Sequence, residues 1–191
     1  MFRRSNDESS STENLQSLRS VVLEEALSWV KLILFVVALA VFITQFVIVN
    51  AAIPTGSMES VIMPNDRIIA FRLSYVFSDP ARFDIIIFRY PGNDSLLYVK
   101  RIIGLPGETI SIIDGMIFIN DDPVPLHENF LREPMRGDYG PFVVPAYSYF
   151  VLGDNRGNSE DSRAWDNPFV HYNMILGRAV FRYYRGIGLL R

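Results

Sequence analysis

Three short segments of this 191-residue chain carry side chains whose types and order could support nucleophilic catalysis. The first contains Ser57, the second contains Lys100, and the third is the polar run from Gly153 to Arg163. A serine becomes an effective nucleophile only when a neighbouring base takes its proton. The chemistry available to this chain therefore depends on which side chain could serve as that base.

Lys100 is the strongest candidate for the base. Only Lys31 and Lys100 are lysines, and the other sixteen of the 18 basic residues are arginines, which stay protonated in proteins. Lys100 lies in the apolar run Leu96–Ile103, which predicts a strand. Alternation puts it on the face of Tyr98 and puts Arg101 on the opposite face, so one of the two charges should be buried. Burial lowers the pKa of a lysine, and a working value near 7–8 requires a drop of roughly 3 units.

Ser57 is the candidate nucleophile, within the sequence IPTGSMES. Pro54 and Gly56 predict a loop, where a hydroxyl can be exposed to a substrate. The third segment, GDNRGNSEDSR, follows the apolar run YFVL and contains three acidic residues and two arginines. Each segment alone is also typical of an ordinary surface turn. The density of charged and hydroxyl groups in the third segment nevertheless favours a hydrogen-bonded network.

The other residue types argue against several alternative kinds of site and partner. His127 and His171 lie in polar, proline-flanked stretches and are expected at the surface, so a Ser-His-Asp triad is poorly supported. The chain has no cysteine, which excludes a thiolate nucleophile, a thiolate zinc site and a disulfide framework. Its formal net charge of -3 argues against a nucleic-acid partner. No zinc-protease helix motif or phosphate-binding glycine loop is present.

The N-terminal part of the chain predicts a membrane anchor. Residues 1–31 begin with a polar, serine-rich stretch and predict a largely disordered cytoplasmic tail. Residues 32–50 are uncharged and reach roughly 28 Å at helical rise, which predicts a transmembrane helix. A cleaved signal peptide is the alternative, but this run exceeds the usual apolar core of roughly 7–15 residues. An uncleaved signal anchor is therefore favoured.

The basic residues and the apolar pattern predict what lies beyond the anchor. Arg19 and Lys31 precede the span and no basic residue follows it until Arg67, which places the N-terminus in the cytoplasm and the C-terminal domain outside. Residues 51–191 predict one β-rich domain, because short runs of Ile, Val, Phe and Tyr alternate with Gly, Pro and Asp.

Two local features refine the predicted domain. The sequence ETISIIDGMIFIN predicts a hairpin with Asp114-Gly115 as its two-residue turn. Residues 121–145 are rich in proline and charge and predict a long irregular excursion.

The three segments together resemble the bacterial type I signal peptidases. TGSM at Thr55–Met58, YVKRIIGLPGE at Tyr98–Glu108 and GDNRGNSEDSR at Gly153–Arg163 have the order and spacing of that family. One span and a compact outer domain are similar to its single-span members, common in Gram-positive bacteria. The resemblance implies a mainly β fold, with one β-rich catalytic domain that shares its core with self-cleaving repressor proteases. It also implies a membrane-bound serine endopeptidase that removes signal peptides from exported preproteins after small residues, in Ala-x-Ala sequences.

The resemblance implies a role for each motif residue. Ser57 would be the nucleophile, Lys100 the general base, and Ser159 a hydrogen-bond partner that orients Lys100. The Ser57 N–H and the Thr55 hydroxyl would form the oxyanion hole. Other residues would hold the site in shape or line small apolar substrate pockets. The first set is Asp154, Arg156, Asp161 and Arg163, and the second is Ile53, Pro54, Met58, Tyr98 and Val99.

The resemblance also implies the surroundings of the protein. No metal or cofactor is required, and the implied partners are signal peptides of preproteins, the lipid bilayer and nearby export machinery, without nucleic acid. The expected location is the plasma membrane, with the thylakoid membrane as an alternative. The sequence departs from the family pattern at Ser60 and Val61, where Pro-Thr is usual, and at Phe83, where glycine is usual.

Two other interpretations remain open on the sequence alone. The first is a self-cleaving repressor protease, which would have a DNA-binding domain where this chain has an apolar span. The second is a non-enzymatic, membrane-tethered β module in which the lysine is structural. Fold alone does not decide between such functions.

Overall fold

The structure is a computed structural model that describes the backbone of residues 4–131, 133, 135–183 and 186–190. Side chains are described from residue 22 onward within those ranges. The chain forms two compact units, Met1–Gln45 and Phe46–Arg191. The first unit is helical and the second is built mainly from strands.

The helical unit is dominated by α1, Arg4–Phe42, which passes into a short π-helical turn, Ile43–Val47. Val22–Val47 is long and apolar enough to cross a membrane, the single such segment in the described part of the chain. Two boundaries differ from the sequence-based expectation. Helical backbone begins at Arg4, where a disordered tail was expected, and the helix ends at Val47 instead of Asn50. Its last three predicted residues are strand because Ile48 and Val49 are β-branched and pair with a neighbouring strand.

The described part of the second unit contains eleven strands, which confirms the mainly β fold. They are β1 (Ile48–Ala52), β2 (Arg67–Phe71), β3 (Ile85–Tyr90), β4 (Asn93–Gly104), β5 (Thr109–Ile113), β6 (Met116–Ile119), β7 (Tyr139–Val143), β8 (Ser148–Leu152), β9 (Phe169–His171), β10 (Ile175–Arg182) and β11 (Gly188–Leu189). The only helical segments described in this unit beyond Val47 are short 3-10 turns at Arg72–Tyr75, Arg156–Asn158 and Tyr172–Met174.

The strands form two antiparallel sheets. The larger sheet has the order β1-β2-β10-β3-β4-β8-β9, and β11 pairs with β10. The smaller sheet has the order β6-β5-β7. β4 lies between β3 and β8, and its residues 99–104 are buried whichever face of the sheet they point to. Both charged residues of that stretch, Lys100 and Arg101, are therefore removed from solvent.

The smaller sheet shows one confirmed prediction and one difference. Asp114 and Gly115 form the predicted hairpin turn between β5 and β6, with φ of 51° and 76°, as a two-residue turn with two positive φ angles requires. The predicted irregular excursion ends earlier than expected, because Tyr139–Val143 forms β7 against β5. Most β7 residues are exposed, so the segment lacks the apolar alternation that marks a half-buried strand.

Candidate active site

One cavity gathers most of the residues that the sequence motifs selected. Its volume is about 540 Å³, and it is formed by the end of β1, the loop that follows it, and the middle of β4. The predicted residues that line it are Ile53, Pro54, Thr55, Ser57, Met58, Tyr98, Val99 and Lys100. The three motif segments lie far apart in sequence, and the fold brings residues of all three to one cavity, the third through Asn158 and Glu160.

Lys100 is buried in β4 and faces this cavity. The residue is 3 % exposed, and it pairs in register with Ile86 of β3. Within the described residues Nζ donates no hydrogen bond, and it lies 5.7 Å from the centre of the Tyr98 ring. Burial lowers the pKa of Lys100 from 10.5 to about 8, although the negative charges of Asp161 and Glu160 oppose that shift. A large fraction of this amine is therefore neutral near pH 8, as a proton acceptor must be.

Ser57 lies in a tight turn five residues beyond the end of β1. The residue is only 9 % exposed, and its Oγ lies 3.4 Å from Thr55 Oγ1. Met58 fills the apolar core behind the turn and is completely buried. In the described part of the chain the Ser57 N–H donates to no protein acceptor.

The third motif forms the expected polar network behind the cavity. Arg101 and Asp154 form a buried, bidentate ion pair, with Nε–Oδ1 of 2.8 Å and Nη2–Oδ2 of 2.7 Å. Asp161 is fully buried, accepts from the Gly153 N–H at 3.0 Å, and pairs with Arg163 at 2.8 Å. Such paired geometry is what allows charged groups to remain in a protein interior.

Arg156 extends this network toward the irregular segment. It is buried, and its Nη1 donates to Glu128 at 2.8 Å while Nη2 makes a second, shorter bond to the same carboxylate. Its Nε donates to the Gly153 carbonyl at 3.0 Å. The Glu128 partner was not predicted, because it lies in the proline-rich excursion and no local pattern links it to Arg156.

Ser159 is the motif residue whose implied contact is absent. Its Oγ is buried but makes no hydrogen bond to any described residue, Lys100 included. A Cβ added to Gly153 would overlap this Oγ and come within 2.5 Å of the Ser57 carbonyl oxygen. Gly153 therefore allows the Ser159 loop and the Ser57 turn to approach each other closely.

Other residues of the site were not selected by the sequence motifs. The cavity is also lined by Asn158 and Glu160, which flank Ser159, and by Ile87 and Leu97. His127 and His171 are exposed and do not line the cavity, as the sequence predicted. Glu160 was within reach of sequence reasoning, because it lies inside the third motif and adds a negative charge near Lys100.

Two departures from the family pattern coincide with unusual backbone angles. Ser60 has φ of 108°, which proline cannot adopt because its ring fixes φ near −65°. Phe83 has φ of 73°, in the region where glycine is favoured. The Phe83 ring packs edge-on against Phe130, and its carbonyl accepts a hydrogen bond from Arg101 at 2.8 Å. These contacts hold Phe83 in place despite its backbone angle.

Comparisons with known proteins agree with this architecture. The family described as signal peptidase, peptidase S26, matches residues 26–184. A signal peptidase I from Leptolyngbya laminosa is 43 % identical over 155 residues, which are 78 % of this chain and 74 % of that protein. A probable signal peptidase I-2 from Synechocystis sp. is 40 % identical, over 78 % of this chain and 68 % of that protein.

Two further relatives extend the comparison. A thylakoidal processing peptidase 1 of Arabidopsis thaliana chloroplasts is 38 % identical, over 70 % of this chain and 41 % of that protein. A crystal structure of a signal peptidase I from Enterococcus faecalis is 37 % identical and has a TM-score of 0.46, over 53 % of this chain and 97 % of that chain.

The family match decides between the interpretations that the sequence left open. It covers the β-rich domain and part of the apolar helix, which neither a self-cleaving repressor nor a non-enzymatic module explains. The match to residues 26–184 and the identity to the Leptolyngbya and Synechocystis proteins extend over most of the chain, not over one motif. This chain belongs to the signal peptidase family, peptidase S26, and is a serine peptidase of the signal peptidase I type.

Proposed function

We propose that this protein cuts signal peptides from exported preproteins with Ser57 as nucleophile and Lys100 as general base. The Ser57 Oγ attacks the scissile carbonyl carbon while the neutral Lys100 amine takes the hydroxyl proton. The resulting ammonium then protonates the leaving amine, and an acyl ester remains on Ser57. Water, deprotonated by the same amine, hydrolyses that ester and restores the free serine.

The burial of Lys100 in the cavity that also contains Ser57 is the observation that carries this proposal. A serine protease without a histidine at its site needs another group that is neutral near physiological pH. A pKa of about 8 leaves roughly a tenth of Lys100 neutral at pH 7 and more at higher pH, whereas the arginines of the domain cannot lose their protons. Among the described residues, no histidine lines the cavity, and Lys100 is its only basic side chain.

The oxyanion of the tetrahedral intermediate would be held by the Ser57 N–H and the Thr55 hydroxyl. The proximity of Thr55 Oγ1 to Ser57 Oγ, 3.4 Å, supports this assignment. Removal of one such donor typically reduces the rate by about 10²–10³. Ser159 remains the candidate that orients Lys100, because a buried hydroxyl without a partner costs about 1–3 kcal/mol and a hydrogen bond to the amine would remove that cost.

The small and apolar residues of the cavity wall support cleavage after small residues. They include Ala51, Ile53, Ile87 and Val99, and the wall also contains the polar residues Asn50, Asn158 and Glu160. β1 ends the strand order of the larger sheet, so an extended peptide could add to its open edge beside the cavity. An Ala-x-Ala sequence in extended form would then place alternate alanine methyl groups toward the same wall.

The apolar helix supports a single-pass location with the catalytic domain on the outer face of the plasma membrane. Val47, the last helical residue, precedes Ser57 by only ten residues. A signal peptide keeps its apolar core in the bilayer, so its cleavage site emerges near the same surface. Export machinery in the same membrane would deliver the preproteins. The positive charges of Arg19 and Lys31, which precede the uncharged stretch at residues 32–50, support a cytoplasmic N-terminus.

A cleavage assay with the full chain in detergent tests this proposal. The substrates are a preprotein with an Ala-x-Ala site and the same preprotein with Leu at the final alanine, and product masses locate the cut. We expect cleavage directly after the final alanine, at least tenfold slower for the Leu substrate, and none with Ser57→Ala. Cleavage at another site, or equal cleavage by Ser57→Ala, would reject the proposed activity or its nucleophile.

A further inference from the structure

Asn155 is bonded to both peptide groups that flank the Ser57 Cα. Its backbone N–H donates to the Ser57 carbonyl at 3.0 Å. Its side-chain Nδ2 donates to the Gly56 carbonyl at 3.1 Å and to Glu59 Oε2 at 3.2 Å. One residue of the third motif therefore contacts the peptide planes before and after the proposed nucleophile.

The bond to Gly56 has a direct consequence for the Ser57 amide. The Gly56 carbonyl and the Ser57 N–H belong to the same planar, trans peptide group, so they point in opposite directions. A second donor, the Glu59 N–H, reaches the same carbonyl at 3.0 Å. Two donors that hold the carbonyl on one side therefore aim the Ser57 N–H toward the other side, where it is free of protein acceptors among the described residues.

A restraint on this peptide is needed because glycine precedes it. Gly56 has no side chain to restrict its ψ angle, so its peptide can rotate more easily than others. The Glu59 carboxylate lies where a Gly56 Cβ would be, with Cδ 2.8 Å from that position. This close approach lets the carboxylate accept from Asn155 Nδ2 and hold that amide against the turn.

We propose that Asn155 is a positioning residue that fixes the orientation of the Ser57 N–H, and that Glu59 holds the Asn155 amide in the orientation required. This inference rests on the proposed role of that N–H in the oxyanion hole. Asn155 does not touch the reacting atoms and acts through the Gly56–Ser57 peptide. Loss of its amide would allow this peptide to turn, which withdraws one oxyanion donor and leaves the substrate pockets intact.

Kinetic constants of the full chain in detergent test the inference. We expect Asn155→Ala to lower kcat by at least tenfold, with KM within threefold of wild type, because the donor acts on the transition state. Asn155→Asp should lower kcat further, because it presents an acceptor to the Gly56 carbonyl and a second negative charge to Glu59. The double variant Asn155→Asp/Glu59→Gln should have a kcat at least threefold higher than Asn155→Asp alone, because the glutamine amide can donate a hydrogen bond to the new carboxylate. Asn93→Asp, an exposed asparagine at the start of β4, is the matched control.

Amide hydrogen exchange supplies a readout that does not depend on activity. The Glu59 and Asn155 amides, which donate to Gly56 and Ser57, should exchange at least tenfold faster in Asn155→Ala, while exchange in β5 and β6 stays unchanged. The inference is overturned if kcat stays within twofold of wild type, or if exchange rises throughout the domain. If wild type cuts no preprotein but the local exchange changes, the peptide restraint stands and the proposed function fails.

Discussion

Arg101 and Asp154 form a doubly hydrogen-bonded ion pair whose side chains are both at most 1 % exposed, immediately beside Lys100 in β4. Adjacent residues of one strand therefore bury two basic groups in opposite ways. The guanidinium is neutralised by a carboxylate, while no ion pair to the Lys100 amine exists among the described residues. Arg101 therefore keeps its charge as part of the scaffold, whereas Lys100 loses its proton more easily.

The Arg101–Asp154 pair should be essential for stability. Asp154→Asn leaves a buried guanidinium without its counter-charge, and breaking such a pair typically costs about 3–5 kcal/mol. Urea unfolding of the full chain in detergent would measure the change. Glu160→Gln, an exposed acidic residue in the same loop, is the control and should alter stability far less. A loss below 1 kcal/mol for Asp154→Asn would show that the pair is not structurally important.

Lys100→Met should stabilise the protein while it removes activity. The folded-state pKa of about 8 lies below the ordinary value of 10.5, so the folded chain binds this proton more weakly than the unfolded chain. The loss of folding stability caused by the buried, charged amine is fully present below pH 8. It decreases as pH rises toward 10.5 and disappears above that value. It corresponds to an upper limit of about 3 kcal/mol. Wild type and Lys100→Met should therefore differ in Tm at pH 7 and converge at high pH. Equal Tm values at pH 7 would contradict a buried, destabilising lysine.

The charge of Glu160 should influence the pH at which the Lys100 amine titrates. Its carboxylate raises the pKa of Lys100, and so does that of Asp161, whereas Arg163 lowers it. Glu160→Gln should therefore shift the Lys100 titration to lower pH. Because Lys31 is the only other lysine, lysine-selective isotope labelling gives two signals, which Lys31→Arg assigns. Exposed Glu133→Gln is the control, and an unshifted Lys100 titration in Glu160→Gln would refute the electrostatic coupling.

Substitution of Phe83 by glycine should reduce stability less than substitution by alanine. Its φ of 73° is unfavourable for any residue with a Cβ, and its ring contacts Phe130. Phe83→Ala loses the ring contact and keeps the backbone cost, whereas Phe83→Gly loses the contact and removes that cost. We expect Phe83→Gly to be the more stable variant by about 1 kcal/mol. Thermal unfolding measures both, and a less stable glycine variant would contradict the assigned backbone strain.

Local patterns in the sequence predicted the parts of the fold that depend on neighbouring residues. The Asp114-Gly115 turn and the placement of Lys100 and Arg101 on opposite faces follow from turn chemistry and strand alternation. Alternation suggested that one of those two charges would be buried, but both are. Whether a strand is covered on one face or two depends on how distant segments pack, which a local pattern does not contain.

The contacts that complete the site were less predictable, because they also depend on how distant segments pack. Glu128 reaches Arg156 from a proline-rich segment, and Asn155 reaches Gly56 across 99 positions of the chain. Neither the residue types nor the neighbouring sequence predict these contacts. The end of the anchor helix was also misplaced, because Ile48 and Val49 suit a membrane helix and a strand equally and strand pairing decides between them.

The most direct test of the Ser57–Lys100 assignment is the pH dependence of kcat/KM for an Ala-x-Ala preprotein. We expect kcat/KM to rise with pH through about 8, where Lys100 loses its proton. Lys100→Met and Ser57→Ala should each reduce kcat/KM by about 10³ or more at every pH. Near-full activity of Lys100→Met, with the same rise in rate, would contradict the assignment of Lys100 as the base.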